Sequence, residues 1–147
     1  MNALRKFGVN IFKKGNDYYV YGLVVGGLKE YNGTLNCGNS GTTSRLMMGL
    51  ISTYPVKVKF TGDKSLSKRP MQRVINLLRE FGANALPENK NTMPFTFLGS
   101  YAGLQNDQKL NVPSAQLKSA WCLAALNTKG ISTLEEPFET RDHTEIM

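Results

Sequence analysis

The sequence predicts a mixed α/β (α+β) fold built from a repeated strand–loop–helix unit. β-prone runs alternate with helical segments along the 147 residues. Two of the helical segments are apolar on nearly all sides, which is typical of buried helices. One strand–loop–helix pattern also occurs twice, about 75 residues apart. These features predict a fold in which strands alternate with helices and at least two helices lie in the interior.

The N-terminal region predicts a helix end followed by a hairpin. Residues 3–8 end in Gly8, which is typical of the last turn of a helix. Two β-prone runs, 9–12 and 18–21, are separated by Lys-Lys-Gly-Asn-Asp, a pattern that predicts a β-hairpin. Because a stable domain rarely opens on a helix end, we expect the sequence to begin inside a larger folding unit.

The middle of the chain predicts one buried helix and one surface helix. A short strand at 34–37 leads to an apolar helix at 42–52, and a strand at 56–60 alternates apolar and polar residues. An amphipathic helix is then predicted from Pro70, which suits a first helical position, to Gly82, which suits a helix end. The apolar face of this helix is formed by Met71, Val74, Ile75, Leu78 and Phe81.

The C-terminal part predicts a second buried helix at 117–126, with Thr140 or Asp142 capping a further short helix. Three more strands are predicted, at 94–98, 109–112 and 131–134.

The junction at residues 35–51 has the composition of an anion site. Its glycines, Gly38 and Gly41, let the backbone turn sharply and let a ligand approach. Hydroxyl side chains in this polar turn cap a helix N-terminus, where free N–H groups attract anions. Arg45 adds a cation suited to carboxylate or phosphate. An ordinary capped strand–helix junction accounts for the same residues, so both interpretations stand at this point.

The repeat joins this junction to a second one. Leu35-Asn36 and Leu110-Asn111 start the two copies, and Ser40 and Ser114 hold the same place in their loops. If the copies pack side by side around their buried helices, their polar loops meet at one end. That end would carry Asn39, Ser40, Thr42 and Arg45 opposite Ser114, Gln116 and Lys118, with Arg69 and Arg141 flanking.

Composition limits the class of protein. A formal net charge of +7 favours anionic partners, but the lysines are scattered and lack the pattern of a nucleic-acid-binding protein. We therefore predict no nucleic-acid partner, and salt-sensitive nucleic-acid binding stays a minor alternative. No apolar run is long enough to cross a membrane, and no secretory signal is recognisable. Cys37 and Cys122 lack metal-site spacing, so a reduced, cytoplasmic protein without metal is expected.

Four motifs in order resemble the 5-enolpyruvylshikimate-3-phosphate (EPSP) synthase family, or 3-phosphoshikimate 1-carboxyvinyltransferase. The motifs are Gly38-Asn39-Ser40-Gly41-Thr42-Thr43 with Arg45; Gly62-Asp63 to Ser65-Leu66 with Arg69-Pro70-Met71; Pro113-Ser114-Ala115-Gln116 with Lys118-Ser119-Ala120; and Arg141-Asp142-His143-Thr144-Glu145. The resemblance implies repeated βαβαββ units with buried inner helices and outer sheets. It implies transfer of the enolpyruvyl group of phosphoenolpyruvate to the 5-hydroxyl of shikimate 3-phosphate in aromatic amino-acid (chorismate) biosynthesis, through a tetrahedral intermediate and without a cofactor.

The resemblance also implies roles for individual residues. The loop at the phosphoenolpyruvate and glyphosate site is matched by Asn39, Gly41, Thr42 and Arg45, and the arginine that clasps phosphoenolpyruvate is matched by Arg69. The shikimate-3-phosphate loop is matched by Ser114, Ala115 and Gln116, with Gln116 also assigned to phosphoenolpyruvate and Arg141 to the shikimate phosphate. Gly41 implies glyphosate sensitivity of the parent enzyme, the role of Lys118 stays open, and His143 is interpreted as structural.

The departures from the family pattern predict a partial domain. The family's opening Gly-Asp-Lys-Ser motif is expected to lie before residue 1. The similar string at 62–65 follows the second unit's first helix and precedes Arg69-Pro70, so it is not that motif. The family's second domain, which carries the acid–base carboxylate, also has no counterpart here. We expect residues 1–29 to end a first unit, 30–104 to form a second and 105–147 to begin a third. Catalysis is then expected to need the remainder of the enzyme. A non-catalytic anion-binding or interaction module on the same fold is the alternative.

Overall fold

The structure, a computed structural model, describes residues 1–146. None of the helices in this part of the chain is long and apolar enough to cross a membrane. The elements that it contains are, in order, α1 (Asn2–Lys6), β1 (Asn10–Lys14), β2 (Asp17–Tyr21), β3 (Asn32–Asn36), α2 (Gly41–Ile51), β4 (Lys57–Thr61), a 3₁₀ turn (Leu66–Lys68), α3 (Gln72–Arg79), β5 (Asn84–Leu86), β6 (Phe95–Leu98), β7 (Asp107–Lys109), α4 (Ala115–Ala125), β8 (Thr133–Glu135) and α5 (His143–Ile146).

The predicted helix end and hairpin near the N-terminus are confirmed. Helix α1 ends before Gly8, which takes a left-handed conformation with φ +90°. Strands β1 and β2 then pair antiparallel as a hairpin, with Asn10 opposite Tyr21. The Arg5 guanidinium connects the helix to the hairpin, because its Nη2 and Nε donate to the Ile11 carbonyl at 2.6 and 3.0 Å.

The central region has the order strand–helix–strand–helix–strand–strand, from β3 to β6. These strands form one sheet in the order β3-β4-β6-β5, in which β3 and β4 are parallel and β6 is antiparallel to both of its neighbours. The alternation predicted for β4 is confirmed, since Val58 and Phe60 are fully buried while Lys57 and Lys59 are exposed. The mixed α/β class and its βαβαββ order therefore follow from the observed pairing.

The repeat is confirmed as a second strand–helix–strand arrangement, β7–α4–β8, with β7 and β8 parallel like β3 and β4. Both strands differ from the predicted ranges by about two residues. The ladder stops at Glu135 because Pro137, just beyond it, has no N–H group to donate. Without that partner, the β-prone Val112 stays outside the sheet.

Helices α2 and α4 pack directly against each other in the interior, which confirms both predicted buried helices. They approach closely at Gly49, where an added Cβ would lie 2.2 Å from the Ala120 carbonyl oxygen. Each helix begins at a serine: Ser40 Oγ accepts from the Thr43 amide at 3.1 Å, and Ser114 Oγ accepts from the Leu117 amide at 3.4 Å. The two N-termini are thus capped in the same way.

Helix α3 is the predicted amphipathic helix, with Val74, Ile75 and Leu78 buried. It begins at Gln72 rather than at Pro70, which lies before the Met71 cap. The 3₁₀ turn and strand β5 were not predicted, because each contains only three residues and neither shows a clear periodicity. At the C-terminus, Asp142 and not Thr140 starts α5, since the Asp142 carbonyl accepts from the Ile146 amide.

Asn91 supplies the cap that α3 lacks within its own sequence. Its carbonyl accepts from the Met71 amide at 2.7 Å, and its Oδ1 accepts from the Gln72 amide at 3.1 Å. We expect Asn91→Ala to lower the free energy of unfolding by about 1 kcal/mol, because one helix-terminal amide loses its partner. Urea unfolding measures the loss, and Glu88→Ala in the same exposed loop is the control. Equal midpoints for the two variants would contradict the capping role.

Candidate functional site

The candidate site lies where the parallel strands β3 and β4 both end. Asn36 pairs with Thr61 at the carboxyl ends of the strands, so the loops that follow leave the sheet side by side. The loop after β3 enters α2 at Gly41, and the loop after β4 reaches Arg69 through the 3₁₀ turn. Arg69 is extended (φ −79°, ψ 135°), as expected for a residue that precedes a proline. Two polar loops are therefore adjacent at the N-terminus of α2.

The first group of contacts fixes Arg69. Its Nη2 donates to Asn39 Oδ1 at 3.1 Å, and Asn39 Nδ2 donates to Asp63 Oδ2 at 2.6 Å. Asp63 Oδ1 in turn accepts from the Leu66 amide at 2.7 Å. The Leu66 amide, with a further contribution from Asn39, lowers the pKa of the Asp63 carboxyl, so this group is a carboxylate at neutral pH. The result is a chain of hydrogen bonds from the backbone to the guanidinium.

The second group joins the two copies of the repeat. Arg45 Nη1 donates to Gln116 Oε1 at 3.0 Å, and Arg45 Nη2 donates to the Pro70 carbonyl at 3.2 Å. Gln116 Nε2 donates to Thr42 Oγ1 at 2.8 Å. The amide of Gln116 thus contacts α2 through both its oxygen and its nitrogen. The loops that are separated by about 75 residues in the sequence meet at one end of the paired helices.

A small cavity of about 140 Å³ lies between these loops. Arg45, Ser114 and Gln116 line it together with Pro70 and Arg73. Its polar lining therefore comes from both copies of the repeat and from the segment that leads into α3.

The electrostatics of the site are strongly cationic. A Cβ built on Gly41 would lie 2.7 Å from Arg45 Nη1 and 3.2 Å from Arg69 Nη1, so both guanidinium groups converge on one glycine. Burial, and then the charge of Arg69, lower the pKa of Arg45. Within residues 1–146 neither arginine forms an ion pair. Two unpaired cations above the free N–H groups of a helix favour a bound anion.

The sequence-predicted residues are distributed unevenly around this centre. The hydrogen-bonded groups described above contain Asn39, Thr42, Arg45, Arg69 and Gln116. Ser114 lines the cavity, and Ala115 is the first residue of α4. Arg141 is exposed, and the structure gives it no hydrogen bond to another residue of the described range.

Two residues differ from the sequence interpretation. Lys118 does not face the other loop, because it is buried and pairs with Glu136 and Glu145 at 3.0 and 2.5 Å. Asp63 was not among the predicted site residues although it holds Asn39. A signal for it was present, since Gly62-Asp63 follows β4 as Gly38-Asn39 follows β3, and parallel strands end at the same edge.

The described part of the chain has no group of three His, Cys, Asp or Glu side chains placed to hold a metal ion. The groups that meet at the candidate site are arginine, amide and hydroxyl side chains and backbone N–H groups at a helix terminus. These groups recognise phosphate and carboxylate oxygens.

Comparison with known proteins decides the family. The model of the EPSP synthase (3-phosphoshikimate 1-carboxyvinyltransferase) family matches residues 1–147. The chain belongs to the EPSP synthase family. Among relatives, the 3-phosphoshikimate 1-carboxyvinyltransferases of Novosphingobium aromaticivorans and Brucella canis are each 44% identical to it, over 146 and 145 residues. An EPSP synthase structure from Acinetobacter baumannii matches 98% of the chain with a TM-score of 0.87 and 39% identity.

The alignments cover only part of these EPSP synthases. The alignments with the two relatives include 99% of this chain but 33% and 32% of the relatives. The structural match includes 98% of this chain and 33% of the Acinetobacter baumannii chain. The chain thus spans about a third of the length of the EPSP synthases it matches. The fold and family predicted from the four motifs are confirmed.

Proposed function

We propose that these residues form the first-domain part of the substrate surface of an enolpyruvyl transferase, which acts on phosphoenolpyruvate and shikimate 3-phosphate in aromatic amino-acid biosynthesis. The observation that carries the proposal is the convergence of Arg45 and Arg69, both free of ion pairs within residues 1–146, on Gly41 at the N-terminus of α2. Phosphoenolpyruvate carries a phosphate and a carboxylate, and two guanidinium groups next to helix N–H groups match this pair of anions.

Each predicted residue then has a proposed role. Arg45 and Arg69 bind the anionic groups of phosphoenolpyruvate, with Asn39, Gly41 and Thr42 shaping the loop. Gln116 is assigned to both substrates, because its amide contacts Arg45 and Thr42 while it lies in the first turn of α4, next to Ala115. Arg141 is assigned to the phosphate of shikimate 3-phosphate together with the Ser114 loop.

We further propose that the chain acts in the cytoplasm as one part of a longer enzyme. The proposed division is a first unit ending at residue 29, a second unit at 30–104 and a third beginning at 105. Binding without turnover is expected from these 147 residues, because closure by a second domain excludes water and supplies further contacts.

The test compares two neighbouring cations. Phosphoenolpyruvate is titrated into the ¹⁵N-labelled chain while the backbone amide signals of residues 38–45 are followed by NMR. Arg69→Gln is expected to weaken binding at least about tenfold, because a charge-assisted hydrogen bond contributes about 1.5–3 kcal/mol. Lys68→Gln removes the same charge from the adjacent exposed residue and is expected to change the affinity less than about twofold.

Equal losses in the two variants would indicate non-specific attraction to a basic protein and would contradict the proposal. Release of inorganic phosphate from the two substrates by this chain alone would contradict the expectation that turnover needs further segments. Both measurements use the same preparation.

A further inference from the structure

The buried charge of Lys118 is the polar feature that the proposed site does not use. The residue lies on α4, two positions after Gln116, and its side chain is only 6% exposed. Its ammonium contacts Glu136 at 3.0 Å and Glu145 at 2.5 Å. A lysine this buried requires compensating carboxylates, because desolvation of an unpaired ammonium is costly.

The two partners of Lys118 lie on either side of Arg141 in the sequence. Glu136 follows β8 and Glu145 lies in α5, so a single ammonium is bonded near both ends of the segment 136–146. Two further hydrogen bonds belong to the same cluster. Thr140 donates to Glu136, and the hydroxyls of Ser119 and Thr144 are bonded to each other.

Hydrophobic burial does not account for the attachment of this segment. Helix α5 has no buried side chain, and the large apolar residues Phe138 and Ile146 are 57% and 74% exposed. Polar contacts to α4 are therefore what holds the segment in place. The pKa of Lys118 agrees with this interpretation. The hydrogen bonds to Glu145 and to Glu136 raise this pKa, although burial lowers it.

We propose that Lys118 is a positioning residue whose ammonium holds the segment 136–146, and with it Arg141, against the first turns of α4 beside the Ser114–Gln116 loop. This inference rests on the proposed function for the role of Arg141. The attachment itself is a separate property of the chain. Lys118 touches neither substrate in this proposal and acts only through the segment that it anchors.

The experiment measures amide hydrogen exchange in the intact 147-residue chain. Lys118→Met keeps the length of the side chain and removes its charge. We expect exchange of the Ile146 amide, which donates to the Asp142 carbonyl in α5, to become at least about tenfold faster, while amides of α4 in residues 119–125 keep their rates. Lys109→Met is the matched control, because its ion pair with Glu135 is exposed (57% and 62%) and no such acceleration is expected.

The double variant Glu136→Gln/Glu145→Gln removes the same ion pairs from the more exposed side and is expected to give the same acceleration even if Lys118→Met disturbs α4. Unchanged exchange of the Ile146 amide in the double variant would overturn the proposal. Acceleration that spreads equally over α4 in both variants would also overturn it, since Lys118 would then support the whole fold and not this segment.

A ligand readout separates this inference from the proposed function. Shikimate 3-phosphate should shift the Arg141 Nε–Hε signal and the Ser114–Gln116 amides of the parent chain, but only the amides in Lys118→Met. If neither signal moves in the parent, the proposed function fails. The exchange rates would still show whether Lys118 holds the segment 136–146 against α4. If Arg141 responds equally in parent and variant, Lys118 does not position it and the proposal is wrong.

Discussion

Gly49→Ala is expected to lower the free energy of unfolding by about 3 kcal/mol, because the new methyl group would overlap the backbone of α4 where α2 packs against it. The added Cβ would lie 2.2 Å from the Ala120 carbonyl oxygen and 2.7 Å from its Cα. Both atoms belong to the backbone of a buried helix and cannot rotate away. The helices must separate, and the small shift needed for one methyl group disturbs packing along both of them.

The higher helix propensity of alanine opposes the effect of this clash. Alanine is a better helix former than glycine by about 1 kcal/mol, so an unobstructed glycine in α2 would gain stability from the same change. The steric cost exceeds that gain because overlap with backbone atoms is relieved only by moving a helix. We therefore expect net destabilisation and a melting temperature lower by about 6–12 °C for a domain of this size.

Gly22→Ala is the matched control, since the added Cβ at Gly22 has no neighbour within 4 Å. This variant should melt within about 2 °C of the parent, or slightly above it, because alanine restricts the unfolded chain. Thermal unfolding followed by circular dichroism measures both proteins under the same conditions. A Gly49→Ala protein as stable as the Gly22→Ala control would show that the two helices do not approach as closely as described.

Periodicity predicted the parts of the fold that bury long runs of apolar side chains. The apolar circumference of α2 and α4 identified both as interior helices, and the Val-Lys-Val-Lys-Phe alternation gave the two faces of β4. Strand β5 and the 3₁₀ turn could not be predicted in this way, because three residues do not establish a period. Their conformation depends on tertiary contacts, such as the pairing of Asn84 with Leu98, that lie beyond the local sequence.

The sequence predicted that the two loops of the candidate site meet, but not which side chains bond to each other. The repeat placed the loops of Asn39 and Gln116 at the same end of the molecule. The hydrogen bond between Arg45 and Gln116 joins residues 71 positions apart, and local sequence does not specify which acceptor a guanidinium selects. The partners of Lys118 were likewise not specified by the local sequence. Its place on α4 suggested the loop surface, while its actual partners come from a segment 18 and 27 positions further along the chain.

Gly41→Ala is expected to weaken phosphoenolpyruvate binding between about 10- and 100-fold with little change in stability, because it displaces two charge-assisted contacts at once. The added Cβ would meet Arg45 Nη1 at 2.7 Å and Arg69 Nη1 at 3.2 Å. Both atoms are the ends of flexible side chains, so the guanidinium groups can move aside without shifting a helix. The cost thus falls on the binding geometry of the arginines and not on the fold.

This separation of binding from stability distinguishes Gly41 from Gly49. Gly41 is the first residue of α2, where the helix tolerates alanine. The melting temperature of the Gly41→Ala protein should therefore stay within about 3 °C of the parent. NMR titration with phosphoenolpyruvate measures the affinity, and the Nε–Hε signals of Arg45 and Arg69 report the displacement directly. Gly22→Ala again serves as the control for the same chemical change in open space. An affinity equal to that of this control would mean that the anion does not bind where the two arginines converge, and the assignment of this loop to phosphoenolpyruvate would have to be abandoned.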